Sequence, residues 1–233
     1  MDRFANSVCL ETLAMTSHHI ELICFDIGNV LIELSSGWHQ ACAEADVLFP
    51  DTADDIAIID HLDALNREHE CGRIDADSFD AQAAQITGLA PHQVDAVCRA
   101  WVRAPFPGVV EFLARVAESD TMTACLSNTN DRHWNMFHGQ EPNRSELPMH
   151  LLDHPMASHH IGVIKPDNRI FSHAEQATAV PAERILFFDD NGENCTAAEQ
   201  RGWCVRKIDP SCNPVTQMQA TLEEVGIMRK TKQ

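Results

Sequence analysis

Three short apolar runs in this chain each end in a cluster of side chains able to do chemistry. Leu22-Ile23-Cys24-Phe25 runs into Asp26, residues 122–126 into Ser127-Asn128-Thr129-Asn130, and residues 185–188 into Asp189-Asp190-Asn191. A single carboxylate in such a place is ordinarily a cap for the helix that follows. Three polar clusters at equivalent ends point further, because open parallel sheets bind ligands outside the carboxyl ends of their strands. Acidic groups crowded there repel one another unless a cation neutralises them. Asp26 with Asp190 therefore implies a hard divalent ion held by oxygens, and Mg²⁺ suits that ligand set.

The elements that must position these residues can be read from the apolar pattern. The runs lack polar alternation, which fits strands buried on both faces. A weaker run covers residues 203–205. Helical spacing lies between the runs: Val109-Val110-Phe112-Leu113-Val116 after Pro107 and Gly108, residues 170–179 after Pro166-Asp167, and residues 196–200 closed by Gly202. Strand and helix in alternation predict an α/β fold, a doubly wound parallel sheet with right-handed crossovers. From about Gly37 to Ala104 the pattern turns helical throughout, over 38–45, 56–69, 78–86 and 92–102. Asp75 and Asp77 are candidate caps there, and Gly72 and Gly88 candidate stops. The spacing predicts an N-terminal extension (1–20), a core domain (21–36 and 105–233) and an inserted all-helical cap (37–104) lying over the sheet. Gly139 to Pro148 reads as an exposed loop, and residues 1–14 as a frayed extension or a misassigned start ahead of Met15.

Bulk composition narrows the partners. A chain of 233 residues is long enough to bury a sizeable core. Its 17 basic against 35 acidic residues give a net charge of −18, which argues against nucleic acid or an anionic membrane. An anionic ligand would need a local group of donors. No apolar stretch approaches the ~20 residues of a membrane span. The nine cysteines include no Cys-x-x-Cys pair, and Cys24 and Cys125 sit inside apolar runs, so reduced thiols and a cytoplasmic location are expected. Among the 13 histidines, His18-His19 and His159-His160 are adjacent pairs. Neighbours on a strand point to opposite sides, so neither pair is expected to chelate zinc.

Four segments occur in order: Phe25-Asp26-Ile27-Gly28-Asn29-Val30-Leu31, Leu126-Ser127-Asn128-Thr129-Asn130, Ile164-Lys165-Pro166-Asp167 and Phe187-Phe188-Asp189-Asp190-Asn191-Gly192-Glu193-Asn194. Together they resemble the four motifs of the haloacid dehalogenase-like hydrolases, whose core is Rossmann-like, with a helical cap where this chain turns helical. The resemblance spans about Glu21 to Lys207. It looks closest to the bacterial branch that includes α-D-glucose-1-phosphate phosphatases, with the phosphatase domain of mammalian epoxide hydrolase a more distant relative. The resemblance implies a Mg²⁺-dependent phosphatase acting on a small phosphorylated metabolite. Asp26 would be the nucleophile. Asp26, the backbone carbonyl of Gly28 and Asp190 would hold the metal. Ser127, Asn128 and Lys165 would bind the phosphoryl group, with Lys165 supplying the positive charge that a protein of net −18 needs. Asp189 would orient its loop, and Asn194 would support the metal site through a water or a hydrogen bond.

One position departs from the pattern. Most phosphatases of the family carry a second aspartate two residues after the nucleophile, and here that position is Gly28. General acid–base help is worth ~10²–10⁴ in rate. Three explanations compete: a leaving group that needs little help, such as an anomeric sugar hydroxyl; a cap residue such as His39 or His69 acting instead; or a poor hydrolase serving as a binding protein. A 2-haloacid dehalogenase also lacks that acid, but those enzymes use no metal, and Asp190 beside Asp189 argues against that route. Trp38, His39, His69, Glu70 and Arg73 fall where a cap could reach the substrate, or could serve packing and surface alone. Arg132 is a candidate for the phosphate or sugar, or a surface residue. Asp167 and Asn168 read as helix-start residues.

Overall fold

The computed structural model describes residues 20–49, 55–140 and 145–229. The expected N-terminal extension, with Met15 and the His18-His19 pair, lies outside the described residues except for Ile20.

Strand β1 (Leu22–Phe25) is followed by a short β2 (Ile32–Leu34) and then by four helices: α1 (Trp38–Glu44), α2 (Asp55–Glu70), α3 (Ala76–Thr87) and α4 (Pro91–Trp101). The chain returns through β3 (Val102–Pro105), antiparallel to β2. Then come α5 (Val109–Ala117), β4 (Met122–Ser127), α6 (Asp131–Phe137), β5 (His154–Ala157), α7 (Ser158–Ile161), α8 (Asn168–Thr178), β6 (Ile185–Asp189), α9 (Gly192–Gln200), β7 (Cys204–Lys207) and α10 (Pro214–Glu224). Among the described residues a five-stranded sheet runs in the order β5-β4-β1-β6-β7, every pair parallel. The expected doubly wound α/β core and its helical insertion are both there.

The apolar runs become strands because each buries both faces. Ile23 and Phe25 join Leu186 and Phe188 in one cluster, while Leu22 and Cys24 join Ala124, Leu126 and Phe187 in another on the opposite side. In register, Phe25 lies beside Phe188, their rings stacked with centroids 5.6 Å apart. That pairing delivers the next residues, Asp26 and Asp189, to one edge of the sheet. The chain leaves β1 for β4 and β5 on one side, then returns to β6 and β7 on the other. The acids thus stand where the strand order reverses, the usual ligand crevice of such sheets.

The inserted helices pack around an apolar cluster of their own, including Trp38, Leu62, Phe79, Val94 and Val97. Asp75 caps α3 by accepting from the backbone N–H of Ser78, and Gly88 closes that helix with φ 75°. Asp77 sits instead in the first turn of α3, where its charge suits the helix dipole.

Three local expectations need correction. Strand β5, His-Pro-Met-Ala, was not expected: Pro155 interrupts any strand pattern, and it is tolerated because β5 lies at the sheet edge. The β2–β3 ribbon at the base of the helical insertion is too short to leave an apolar period. The stretch from Gly139 to Pro148 is not simply exposed. Residues 141–144 lie outside the described set, but Ser145 and Leu147 are buried, and the Ser145 hydroxyl donates to the carbonyl of Arg103 at 2.6 Å.

Candidate active site

Asp26, Asp189 and Asp190 each present a carboxylate oxygen, and the three oxygens lie within 4.8 Å of one another. Among the described residues they are the group that could hold a metal ion. Lys165 arrives from the loop before α8 with its side chain wholly buried. Its Nζ is 2.9 Å from Asp26 Oδ1 and 2.7 Å from Asp189 Oδ2. The same ammonium lies 5.3 Å from the centroid of the Phe187 ring. Burial alone would push the ammonium's pKa down, but the charges of Asp189 and Asp26 overrule it and hold the pKa above the ordinary range.

One ammonium cannot serve three acids. Burial pushes the Asp26 carboxyl up to about 7, with the charges of Asp189 and Asp190 adding to that push and Lys165 opposing it. Burial likewise raises Asp190, which accepts from the neutral amide of Asn29 at 3.1 Å. This surplus of negative charge on hard oxygen donors fits a divalent cation such as Mg²⁺. Gly28, the expected carbonyl ligand, lies in the turn that follows Asp26, and an isolated bridge joins it to Ile32.

The supporting contacts are specific. Asp189 Oδ1 accepts from the backbone N–H of Asn191 at 2.8 Å, so this acid does hold its loop, while also offering an oxygen to the cluster. Asn194 donates to both Asp189 oxygens, at 3.2 and 3.1 Å. Asn128 grips the backbone of Lys165 from both sides. Its Oδ1 accepts from the Lys165 N–H at 2.8 Å, and its Nδ2 donates to the Lys165 carbonyl at 2.9 Å. Its amide is therefore occupied in positioning Lys165. Ser127 is buried at the end of β4 and lines the cleft with Gly28 and Asn128.

Two adjoining cavities lie between core and helical insertion, sharing Asn128 and Glu70, and one of them reaches Lys165 of the cluster. The inner one, about 90 Å³, is lined by Gly28, Ser127 and Asn128 below and by Trp38, His69, Glu70 and Trp101 above. The outer one, about 320 Å³, brings Lys165 and Asn194 opposite Asn66, Arg67 and Glu70. A Cβ built on Gly28 would lie 2.7 Å from Leu34 Cδ1, so an acid could occupy that position only by displacing Leu34.

Other candidates are placed elsewhere. His39 is exposed and packs against the Phe49 ring, and Arg73 is exposed and pairs with Glu68. Arg132 meets neither solvent nor the acid cluster. It is buried, 2.6 Å from Asp80 and 3.0 Å from Asp95, both on the helical insertion. Asp167 caps α8 by accepting from the N–H of Arg169, and Asn168 is the first residue of that helix. His69 lines the inner cavity, but its Nε2 is 2.7 Å from Asp131 Oδ1 and its ring stacks on Phe79. The eight cysteines among the described residues form no disulfide.

The comparisons agree on the fold. A family model described as haloacid dehalogenase-like hydrolase matches residues 20–202. An (S)-2-haloacid dehalogenase, H-109, from Pseudomonas putida is 34% identical over 103 residues, 44% of this chain. The match spans only 43% of that relative's length. Among solved structures, the HAD-family enzyme bt-2542 from Bacteroides thetaiotaomicron superposes with a TM-score of 0.73 at 21% identity, covering 84% of this chain and 97% of its own. A HAD-like family hydrolase from Porphyromonas gingivalis does so with a TM-score of 0.72 at 23% identity, covering 88% and 98%.

Proposed function

The chain belongs to the haloacid dehalogenase-like hydrolases, and we propose that it is a Mg²⁺-dependent phosphatase of small phosphate monoesters. The observation that carries this reading is the charge imbalance at the sheet edge, three carboxylates around one buried lysine. A halide leaves as a stable anion and needs no divalent cation beside it, whereas a phosphoryl group cannot approach a carboxylate unless the charge between them is screened. Structures of bt-2542, the fold relative, include a complex with magnesium and inorganic phosphate.

Asp26, Asp190 and the Gly28 carbonyl would hold the ion, with Asp189 beside them. When bound, Mg²⁺ would neutralise charge on the phosphoryl oxygens and on the attacking carboxylate. Lys165 adds a fixed positive charge, aimed by the amide of Asn128, and Ser127 can donate its hydroxyl to a phosphoryl oxygen. Asp26 attacks phosphorus in line, the ester oxygen departs, and a phosphoaspartate forms on Asp26. Water then attacks that phosphorus and frees inorganic phosphate. The cavity residues Trp38, Asp63 and Asn66 would receive the organic part, for which a sugar phosphate such as glucose 1-phosphate is the first candidate. A cytoplasmic enzyme of phosphorylated metabolites fits a net charge of −18. Among the described residues no helix is long and apolar enough to cross a membrane.

A second reading, 2-haloacid dehalogenase, is favoured by the Pseudomonas putida relative and by Gly28. A third, an impaired binder of phosphosugars, draws on the same glycine. A panel of sugar phosphates and 2-haloacids, with and without Mg²⁺, separates the three. Phosphate release that requires Mg²⁺ supports the phosphatase. Halide release without metal would replace it with the dehalogenase, and binding without either product would leave the binder.

A further inference from the structure

An alcohol leaving phosphorus needs a proton, and Gly28 provides none, so some other group must carry it if the phosphatase reading holds. The titratable groups around the two cavities differ in their freedom to do so. Lys165 is locked to Asp26 and Asp189. His69 gives its Nε2 to Asp131, and His133 gives its Nε2 to the carbonyl of Cys98 at 2.8 Å. Asp63 accepts from the Trp38 indole and is largely exposed.

Glu70 differs from all of these. It is the last residue of α2 and lines both cavities, opposite Gly28 and Ser127 in one and Lys165 in the other. Its carboxylate accepts from the Asn66 amide, which donates to Oε1 at 3.0 Å. Its backbone is pinned to the core: the Ser158 hydroxyl donates to the Glu70 carbonyl at 2.6 Å and accepts from the N–H of Thr129 at 3.0 Å. Two residues on, Gly72 has φ 65°, and a Cβ there would lie 2.2 Å from the His159 carbonyl, so only glycine lets the chain pass this close. The helical insertion is thus held against the core at Glu70.

We propose that Glu70 is the general acid, and then the general base, of the reaction. As Asp26 bonds to phosphorus and the ester P–O bond breaks, the carboxylic acid of Glu70 gives its proton to the departing oxygen. The resulting carboxylate takes a proton from the water that attacks the phosphoaspartate. Glu70 returns to the acid form, Asp26 to the carboxylate, and inorganic phosphate leaves. The charged groups facing Glu70 are Asp63 and Arg67 on its own helix and Lys165 from the core, with Glu193 across the outer cavity. Burial pushes the Glu70 carboxyl up to about 7, against the pull of Lys165 and Arg67, so it holds a proton where an ordinary glutamate has lost it.

The test compares wild type with Glu70→Gln, both with Mg²⁺, on an alkyl or sugar phosphate and on 4-nitrophenyl phosphate, whose leaving group needs no proton. On the alkyl ester, kcat of the variant should fall ~10²–10³-fold, and the loss of wild-type activity as pH rises through about 7 should disappear. On the nitrophenyl ester the variant should release one nitrophenolate per enzyme in a near-wild-type burst, then turn over slowly. Glu70→Asp, which keeps the acid, should recover part of the rate. Near-wild-type alkyl activity in Glu70→Gln would overturn the proposal, as would an equal loss of the first step on both esters, the mark of a merely structural residue. If wild type releases phosphate from no ester, the phosphatase reading fails and this inference fails with it. Unaltered activity in Glu70→Gln alone removes only Glu70.

Discussion

Two ionic clusters lie on either side of the cleft, and they are built on opposite plans. At the seam between core and helical insertion, Asp131-Arg132-His133 begin α6 and reach three inserted helices. Asp131 meets His69 of α2, Arg132 meets Asp80 of α3 and Asp95 of α4, and His133 donates to the Cys98 carbonyl of α4. Each carboxylate there has a cation or histidine of its own, Asp95 being shared with Arg99. At the sheet edge, two of three crowded carboxylates share one ammonium, and Asp190 has only an amide. Paired charge holds two parts of the molecule together. Unpaired charge, desolvated and crowded, is costly unless something else binds. That contrast is why the sheet edge reads as the reactive site and the seam as architecture.

Breaking each cluster should give opposite results. The largest effect belongs to Asp26→Asn. Turnover should fall to background while the cooperative thermal transition persists, because the change removes one charge from a crowd of like charges. Measurable phosphatase activity in that variant would take Asp26 out of the role assigned to it. Arg132→Ala should do the reverse. It strands the buried Asp80, leaving Asp95 only Arg99, and should cost about 3–5 kcal/mol in denaturant unfolding. A cost under ~1 kcal/mol would mean the seam is no clamp.

The smallest effect is a pH dependence of the seam. His133 donates through Nε2 and takes the Asn130 amide at Nδ1, which is the neutral tautomer. Burial lowers its pKa from 6.5 to about 4. Between those values the unfolded chain binds more protons than the folded one, so stability is full above about pH 6.5 and is lost as pH falls towards 4. Melts recorded at pH 6.5 and 5.5 should differ by about 1 kcal/mol, and His133→Asn should flatten the difference. An unchanged slope in the variant would assign the acid sensitivity to other groups.

These contrasts also mark what could be read from residue order. Strands β1, β4 and β6 were legible because burial on both faces leaves unbroken apolar runs. Asp26, Asp190 and Lys165 were legible because each stands beside such a run or in a motif of recognisable wording. Strand β5 was not, since Pro155 and His154 carry no strand signal and an edge position tolerates them. Arg132 could not be read, because its partner Asp80 lies 52 residues away on a helix whose placement no local pattern specifies. Asn128 was expected at the phosphate, yet its amide is spent on the backbone of Lys165, a pairing that only the folded loops create. Glu70 stood among several residues on the helical insertion. What distinguishes it is a carboxylate that lines both cavities, a placement that leaves no trace in the order of residues.

The central claim is that phosphorus, not carbon, becomes bonded to Asp26. The direct measurement is turnover of a small phosphate ester with Mg²⁺ in water enriched in oxygen-18, followed by mass analysis of the phosphate and of the peptide bearing Asp26. The account predicts label in the released phosphate and none in the Asp26 carboxylate, because water attacks phosphorus. Label accumulating in Asp26 during turnover of a 2-haloacid, with no phosphate released from any ester, would mean that water attacks a carboxylate–carbon ester, and would contradict it.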